Sequence, residues 1–134
     1  MKKIIFLATT VMIFVVVTSS CKKSDSGSIS IVGKWSFVKS VYTETNISSN
    51  SVLTYNTTTY NNGSYADFRT DGKVYEYSVN SGIRDTLSYI VSGNNISIGT
   101  ETDVIKLLDA NNLQVYWTQT TGNLKDEQTT FLIR

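Results

Sequence analysis

IVGKWSFVKSVY, residues 31 to 42, is the stretch on which the fold turns. Strict two-residue alternation places Trp35, Phe37, Lys39 and Val41 on one face and Lys34, Ser36, Val38 and Ser40 on the other, which is strand periodicity. A strand this long, opened by Gly33-Lys34-Trp35, suits the first member of a closed antiparallel barrel against which later strands pair. No stretch after Ile31 keeps helical periodicity for three turns. Short alternating runs rich in Val, Ile, Thr and Tyr recur instead, with turn residues between them, so the expected class is all-β. Strands are expected near 33 to 42, 64 to 70, 73 to 79, 85 to 92, 95 to 100, 103 to 107, 113 to 119 and 127 to 134. That gives a single up-and-down β-barrel of about eight strands, because closure removes the exposed edges of such a meander.

The turns set the expected registers. Asp71-Gly72, read as a two-residue turn, opposes Phe68 to Tyr75 and lines Ala66, Phe68, Tyr75, Tyr77 and Val79 along one side. Gly93-Asn94 by the same count opposes Val91 to Ile96 and Tyr89 to Ile98. Around Asp109 to Asn112 two loops compete. A five-residue loop turns Ile105 and Leu107 inward with Leu113, Val115 and Trp117, whereas a four-residue loop turns Leu108 inward; the former keeps Lys106 outside and is favoured. Thr43 to Gly63, dominated by Thr, Asn and Ser, reads as a long connection with a weak strand around 52 to 59 and the option of acting as a lid.

The chain of 134 residues, 40% hydrophobic, holds one domain, residues 31 to 134. Met1 to Ser20 has two lysines, an apolar run from Ile4 to Val17 and small residues after it, the pattern of a cleaved signal peptide. The run is shorter than the roughly 20 residues of a bilayer span. Cys21, the one cysteine, follows directly, and Lys22 to Ser30 makes a polar tether. Cleavage before Cys21 leaves ten basic residues against eleven acidic ones, a net charge of −1 with no basic stripe, so nucleic acid is not an expected partner.

Chemistry is bounded by what is missing. With no histidine, and no free thiol if Cys21 is acylated, imidazole-dependent triads, thiol nucleophiles and the usual zinc sites drop out. The carboxylates are scattered, and Glu101 with Asp103 is too sparse for a calcium loop. No enzyme, metal or cofactor is expected. The remaining candidate is the barrel interior, where Tyr75, Tyr77, Tyr89 and Trp117 would supply aromatic walls and Lys39 one cation, a combination suited to an amphipathic ligand with an acidic head. The competing reading fills a small closed core with those aromatics and lets Lys39 snorkel to water.

Taken together, Gly33-Lys34-Trp35, Phe68 before Asp71-Gly72, the SGNNISI hairpin and LLDANNLQVYW resemble the small lipocalin-like lipoproteins of Bacteroidetes. The cysteine after Thr18-Ser19-Ser20 resembles a lipobox, although Thr18 stands where that pattern usually has Leu. The resemblance implies a monomeric domain anchored to the outer membrane through acyl chains (palmitate among them) on Cys21, binding a small hydrophobic or amphipathic ligand. It also implies that Trp35 closes the bottom of the barrel under Arg134. Asp85-Thr86-Leu87 resembles an O-glycosylation acceptor of exported proteins in that group, at Thr86. A second functional reading is a cell-envelope interaction module for a protein or glycan, with a filled barrel and an exposed patch that includes Tyr55 and Tyr60.

Overall fold

A computed structural model describes residues 29–134. The expected signal peptide, Cys21 and all of the tether before Ile29 lie outside the described residues. Nine strands follow: β1 (Gly33–Asn46), β2 (Ser51–Thr59), β3 (Tyr65–Phe68), β4 (Lys73–Tyr77), β5 (Arg84–Ser92), β6 (Asn95–Ile98), β7 (Glu101–Leu108), β8 (Asn112–Thr121) and β9 (Leu124–Ile133). All pairings are antiparallel, and β9 returns to β1 from Ser36↔Ile133 to Asn46↔Leu124. β1 and β3 to β9 thus close an eight-strand barrel, and β2 is an additional strand.

β2 falls where a weak strand is expected around 52 to 59 within the long connection. Its Val, Thr and Tyr content favours extended backbone, and β1 is long enough to divide one edge between two partners. Gly33 to Ser36 pair with β3, while Lys39 to Asn46 pair with β2. At the changeover β1 carries a bulge between Phe37 and Lys39, where the Phe37 amide donates to Ser64 O at 3.1 Å and Val38 O accepts from the Tyr60 amide at 3.0 Å. The extra residue reverses the alternation above it. Lys39 therefore pairs with outward Phe131, and Ser40 joins the inner face, which corrects the expected inward Lys39.

A second one-residue shift occurs at the first tight hairpin. Gly72, at φ +76°, follows a turn in which its amide donates to Arg69 O at 3.2 Å, and the Arg69 amide then donates to Lys73 O at 2.8 Å. This is a three-residue loop with a glycine bulge, not a two-residue turn. Asp71 Oδ1 accepts from the Lys73 amide at 2.9 Å and helps fix it. Phe68 consequently opposes Val74, and Ala66 opposes Glu76. Tyr75 and Tyr77 turn outward, contrary to expectation, because a slip of one residue exchanges the two faces of a strand.

The Gly93-Asn94 hairpin pairs Val91 with Ile96 and Tyr89 with Ile98, as expected. The β7–β8 hairpin takes the four-residue alternative and not the favoured five-residue loop, and a bulge keeps Ile105 inward and Lys106 outside all the same. Leu108 opposes Leu113 and Ile105 opposes Val115, with a bulge between Ile105 and Leu107. Both Leu108 and Ile105 are half-buried against the core, and Leu107 is left exposed.

The core sits at one end, where Ile31, Trp35, Ala66, Phe68, Val74, Ile96, Leu113 and Leu132 are buried. Trp35 is fully enclosed, and its indole N–H donates to Ile31 O at 2.7 Å, which satisfies the one polar atom of the ring. The Arg134 guanidinium lies 4.0 Å from the Trp35 ring centroid and donates to Ser30 O at 2.7 Å and Val32 O at 2.9 Å. It thereby straps the segment before β1 across the closed end. Gly33 lies under the guanidinium at φ +130°; a Cβ there would stand in ordinary contact at 3.6 Å, so the backbone angle and not crowding favours glycine.

Candidate functional site

Above this packed floor the barrel holds a cavity of about 420 Å³. Its lower wall is apolar, formed by Phe37, Ala66, Phe68, Ile98, Leu113, Val115 and Leu132. Each belongs to the inward set of its strand, so the lining follows directly from the registers above. Trp117 and Tyr60 supply the upper aromatic walls. The Tyr60 ring lies 5.0 Å from that of Phe37, and its hydroxyl is 3.0 Å from Ser40 Oγ, which is itself 2.9 Å from Thr130 Oγ1. This relay satisfies the buried Ser40 and holds Tyr60 inward. Gln128 and Thr130 complete the neutral polar part of the wall.

The charged part of the wall is acidic. Glu76, Glu101 and Asp103 all line the cavity. Asp103 opposes fully buried Ile96, Glu101 opposes Ile98, and Asp85 opposes Glu76, so four carboxylates share the inner face. Burial pushes the Glu76 carboxyl above the usual range, and repulsion from Asp85 adds to this. Asp103 is raised by burial and then by Glu101. Its Oδ1 is enclosed and has no hydrogen-bond partner.

The cations lie elsewhere. Lys34 sits 3.8 Å from the Tyr65 ring centroid, Lys39 5.0 Å from Phe131, Arg69 4.1 Å from Tyr75, Arg84 4.8 Å from Tyr77 and Lys106 4.3 Å from Tyr116. All five pairs stand on outward-facing strand positions or the loops beside them. Lys73 donates to Ser88 Oγ at 2.7 Å, and Lys125 pairs with Glu127 at 2.9 Å, again on the outer face. Arg134 caps the closed end. None of the eight Lys and Arg side chains of the described residues lines the cavity.

The residues expected to form the site are therefore dispersed. Trp117 lines the cavity. Tyr89 is inward but belongs to the floor, packed edge-on to Phe68 with centroids 5.0 Å apart and its hydroxyl donating to Arg69 O at 2.9 Å. Lys39, Tyr75 and Tyr77 face out. Thr86 is exposed on the outer face, opposite Tyr75, and Cys21 lies outside the described residues.

Of the side chains that sequence reasoning missed, Glu101 and Asp103 carried a signal. With Ile96 and Ile98 inward, a tight turn at Gly99-Thr100 places both on the same face. Tyr60 carried none, since its inward position depends on β2 and the β1 bulge.

A second cleft, of about 530 Å³, lies at the closed end between Ile29–Val32, the β5–β6 turn and β7. It is the larger of the two, yet Lys106 is its one charged lining residue, and that side chain is held over Tyr116. The barrel cavity carries the convergent aromatic, hydroxyl, amide and carboxylate groups that fix a small molecule's orientation. Among the described residues no three His, Cys, Asp or Glu side chains are placed to hold a metal ion. Nor is any helix among them long and apolar enough to cross a membrane. No protein-family model, curated protein or solved structure matches the chain.

Proposed function

We propose that this chain is a non-catalytic binding protein whose barrel holds a small amphipathic molecule, and that acyl chains on Cys21 tether it to the outer membrane. The observation that carries the proposal is the cavity: about 420 Å³, apolar below and polar above, with Phe37, Tyr60 and Trp117 around it. Its volume falls within the roughly 300–1,000 Å³ typical of small-molecule sites. The signal-like Met1 to Ser20 and the cysteine after it support the tether. The alternative, an envelope interaction module, goes with a filled interior and an exposed aromatic patch, for which Tyr55 and Tyr60 were candidates. Tyr55 is 65% exposed on β2, but Tyr60 turns into an interior that is not filled.

The test uses the neutral dye N-phenyl-1-naphthylamine with the wild-type chain and with Val115→Trp, which adds an indole to the cavity wall. The wild type should bind with enhanced fluorescence, and the variant should lose at least tenfold in affinity while still melting cooperatively. Equal binding by a folded Val115→Trp variant would overturn the assignment of the site.

A further inference from the structure

We infer that the molecule held in the barrel is a cation, an apolar body carrying an ammonium group. The inference rests on the reading of the cavity as a binding site and adds the sign of the ligand's charge. Three observations carry it. First, the three carboxylates that line the cavity stand on two strands that are not neighbours, Glu76 on β4 and Glu101 and Asp103 on β7 opposite the β6 residues Ile98 and Ile96, so they meet the space from two parts of the wall. Second, no lysine or arginine of the described residues reaches them; their cationic partners are spent on outer aromatic faces and at the closed end. Third, Asp103 Oδ1 is enclosed and lacks a donor, which is costly for a carboxylate unless something supplies one.

An ammonium group answers all three. Its N–H groups donate to Asp103, its charge offsets the repulsion between neighbouring carboxylates, and the faces of Trp117 and Tyr60 attract a desolvated cation. Its apolar body would rest on Phe37, Leu113 and Leu132. A carboxylate or phosphate head would instead enter an acidic site with no compensating charge, so an anionic amphipath is disfavoured.

The test compares three ligands of one chain length, decylamine, decanol and decanoate, as competitors of N-phenyl-1-naphthylamine at neutral pH and low salt. Decylamine should compete at least tenfold more strongly than decanol, and decanoate should be the weakest. In Asp103→Asn, and again in Glu76→Gln, the advantage of decylamine over decanol should shrink to about threefold or less. If decanol or decanoate competes as well as decylamine, the charge assignment is overturned and the binding reading stands. If none of the three competes with a folded wild-type chain, the binding reading falls and takes this inference with it.

Discussion

Replacing Arg134 tests whether the barrel is fastened at its closed end as the geometry indicates. The guanidinium makes one cation–π contact with Trp35 and two hydrogen bonds to the carbonyls of Ser30 and Val32. A partly exposed cation–π contact contributes about 0.5–1 kcal/mol. Each hydrogen bond adds about 0.5–1.5 kcal/mol net. With Arg134 largely in water the lower half of these ranges applies, so Arg134→Ala should cost about 2 kcal/mol. For a domain of this size that lowers Tm by roughly 10 °C.

The loss should spread beyond the contacts themselves, because the strapped segment carries Ile31, which is buried and accepts the Trp35 indole hydrogen bond. Thermal unfolding followed by near-ultraviolet circular dichroism reads both effects, since the Trp35 environment reports the closed end. Arg134→Lys keeps the charge but not the planar fork that reaches two carbonyls at once, and should restore less than half of the lost stability. A Tm for Arg134→Ala within about 2 °C of wild type, or full rescue by Lys, would refute the strap.

Two further outcomes follow from the registers and the charges. The Glu76 carboxyl is raised by burial and by Asp85, so the folded chain holds that proton more firmly than the unfolded chain does. The associated stability is present below the ordinary glutamate range and is lost as pH rises through the raised folded value. Asp103 has the same sign. Urea midpoints should therefore fall between mildly acidic and neutral pH, and Glu76→Gln should flatten that slope and stabilise the chain at neutral pH; an unchanged slope counts against an inward Glu76. Gly72→Ala should cost about 1 kcal/mol, because φ is +76° there while the nearest atom to an added Cβ is Tyr89 O at 3.9 Å, so the penalty is conformational and not steric. Gly72→Asn, which tolerates the left-handed region better, should cost visibly less in the same melts.

What the sequence made legible was the part governed by local rules. Two-residue alternation and turn residues were enough to give an all-β barrel, and Gly93-Asn94 was enough to set the β5–β6 register residue for residue. The closing pair, Trp35 and Arg134, sits at positions that the resemblance singled out. What stayed illegible depends on contacts between distant segments. The bulge above Phe37 stands where β1 exchanges β3 for β2 along one edge, and although a weak strand was legible around 52 to 59, its pairing with β1 was not. The Asp71-Gly72 hairpin is a different case: the same dipeptide serves a two-residue turn or a three-residue turn with a bulge, and the choice falls on the pairing that buries Val74 and leaves Tyr75 to Arg69.

These two irregularities decide more than geometry, because together they reverse the charge of the interior. Unbroken alternation from Trp35 carries Lys39 inward, and a two-residue turn carries Tyr75 and Tyr77 inward with it, giving an aromatic pocket with one cation. One inserted residue on β1 moves Lys39 to the outer face over Phe131, and one more in the hairpin loop substitutes Val74 and Glu76 for the two tyrosines. The tyrosines are not wasted outside, since each receives an arginine and so holds a positive charge away from the cavity. The same two slips that empty the interior of its expected cation thus fill it with carboxylate and place the counter-charges beyond reach. Under the proposed function this acidic wall is what a ligand meets, which is why the sign of the preferred ligand is the most informative quantity to measure.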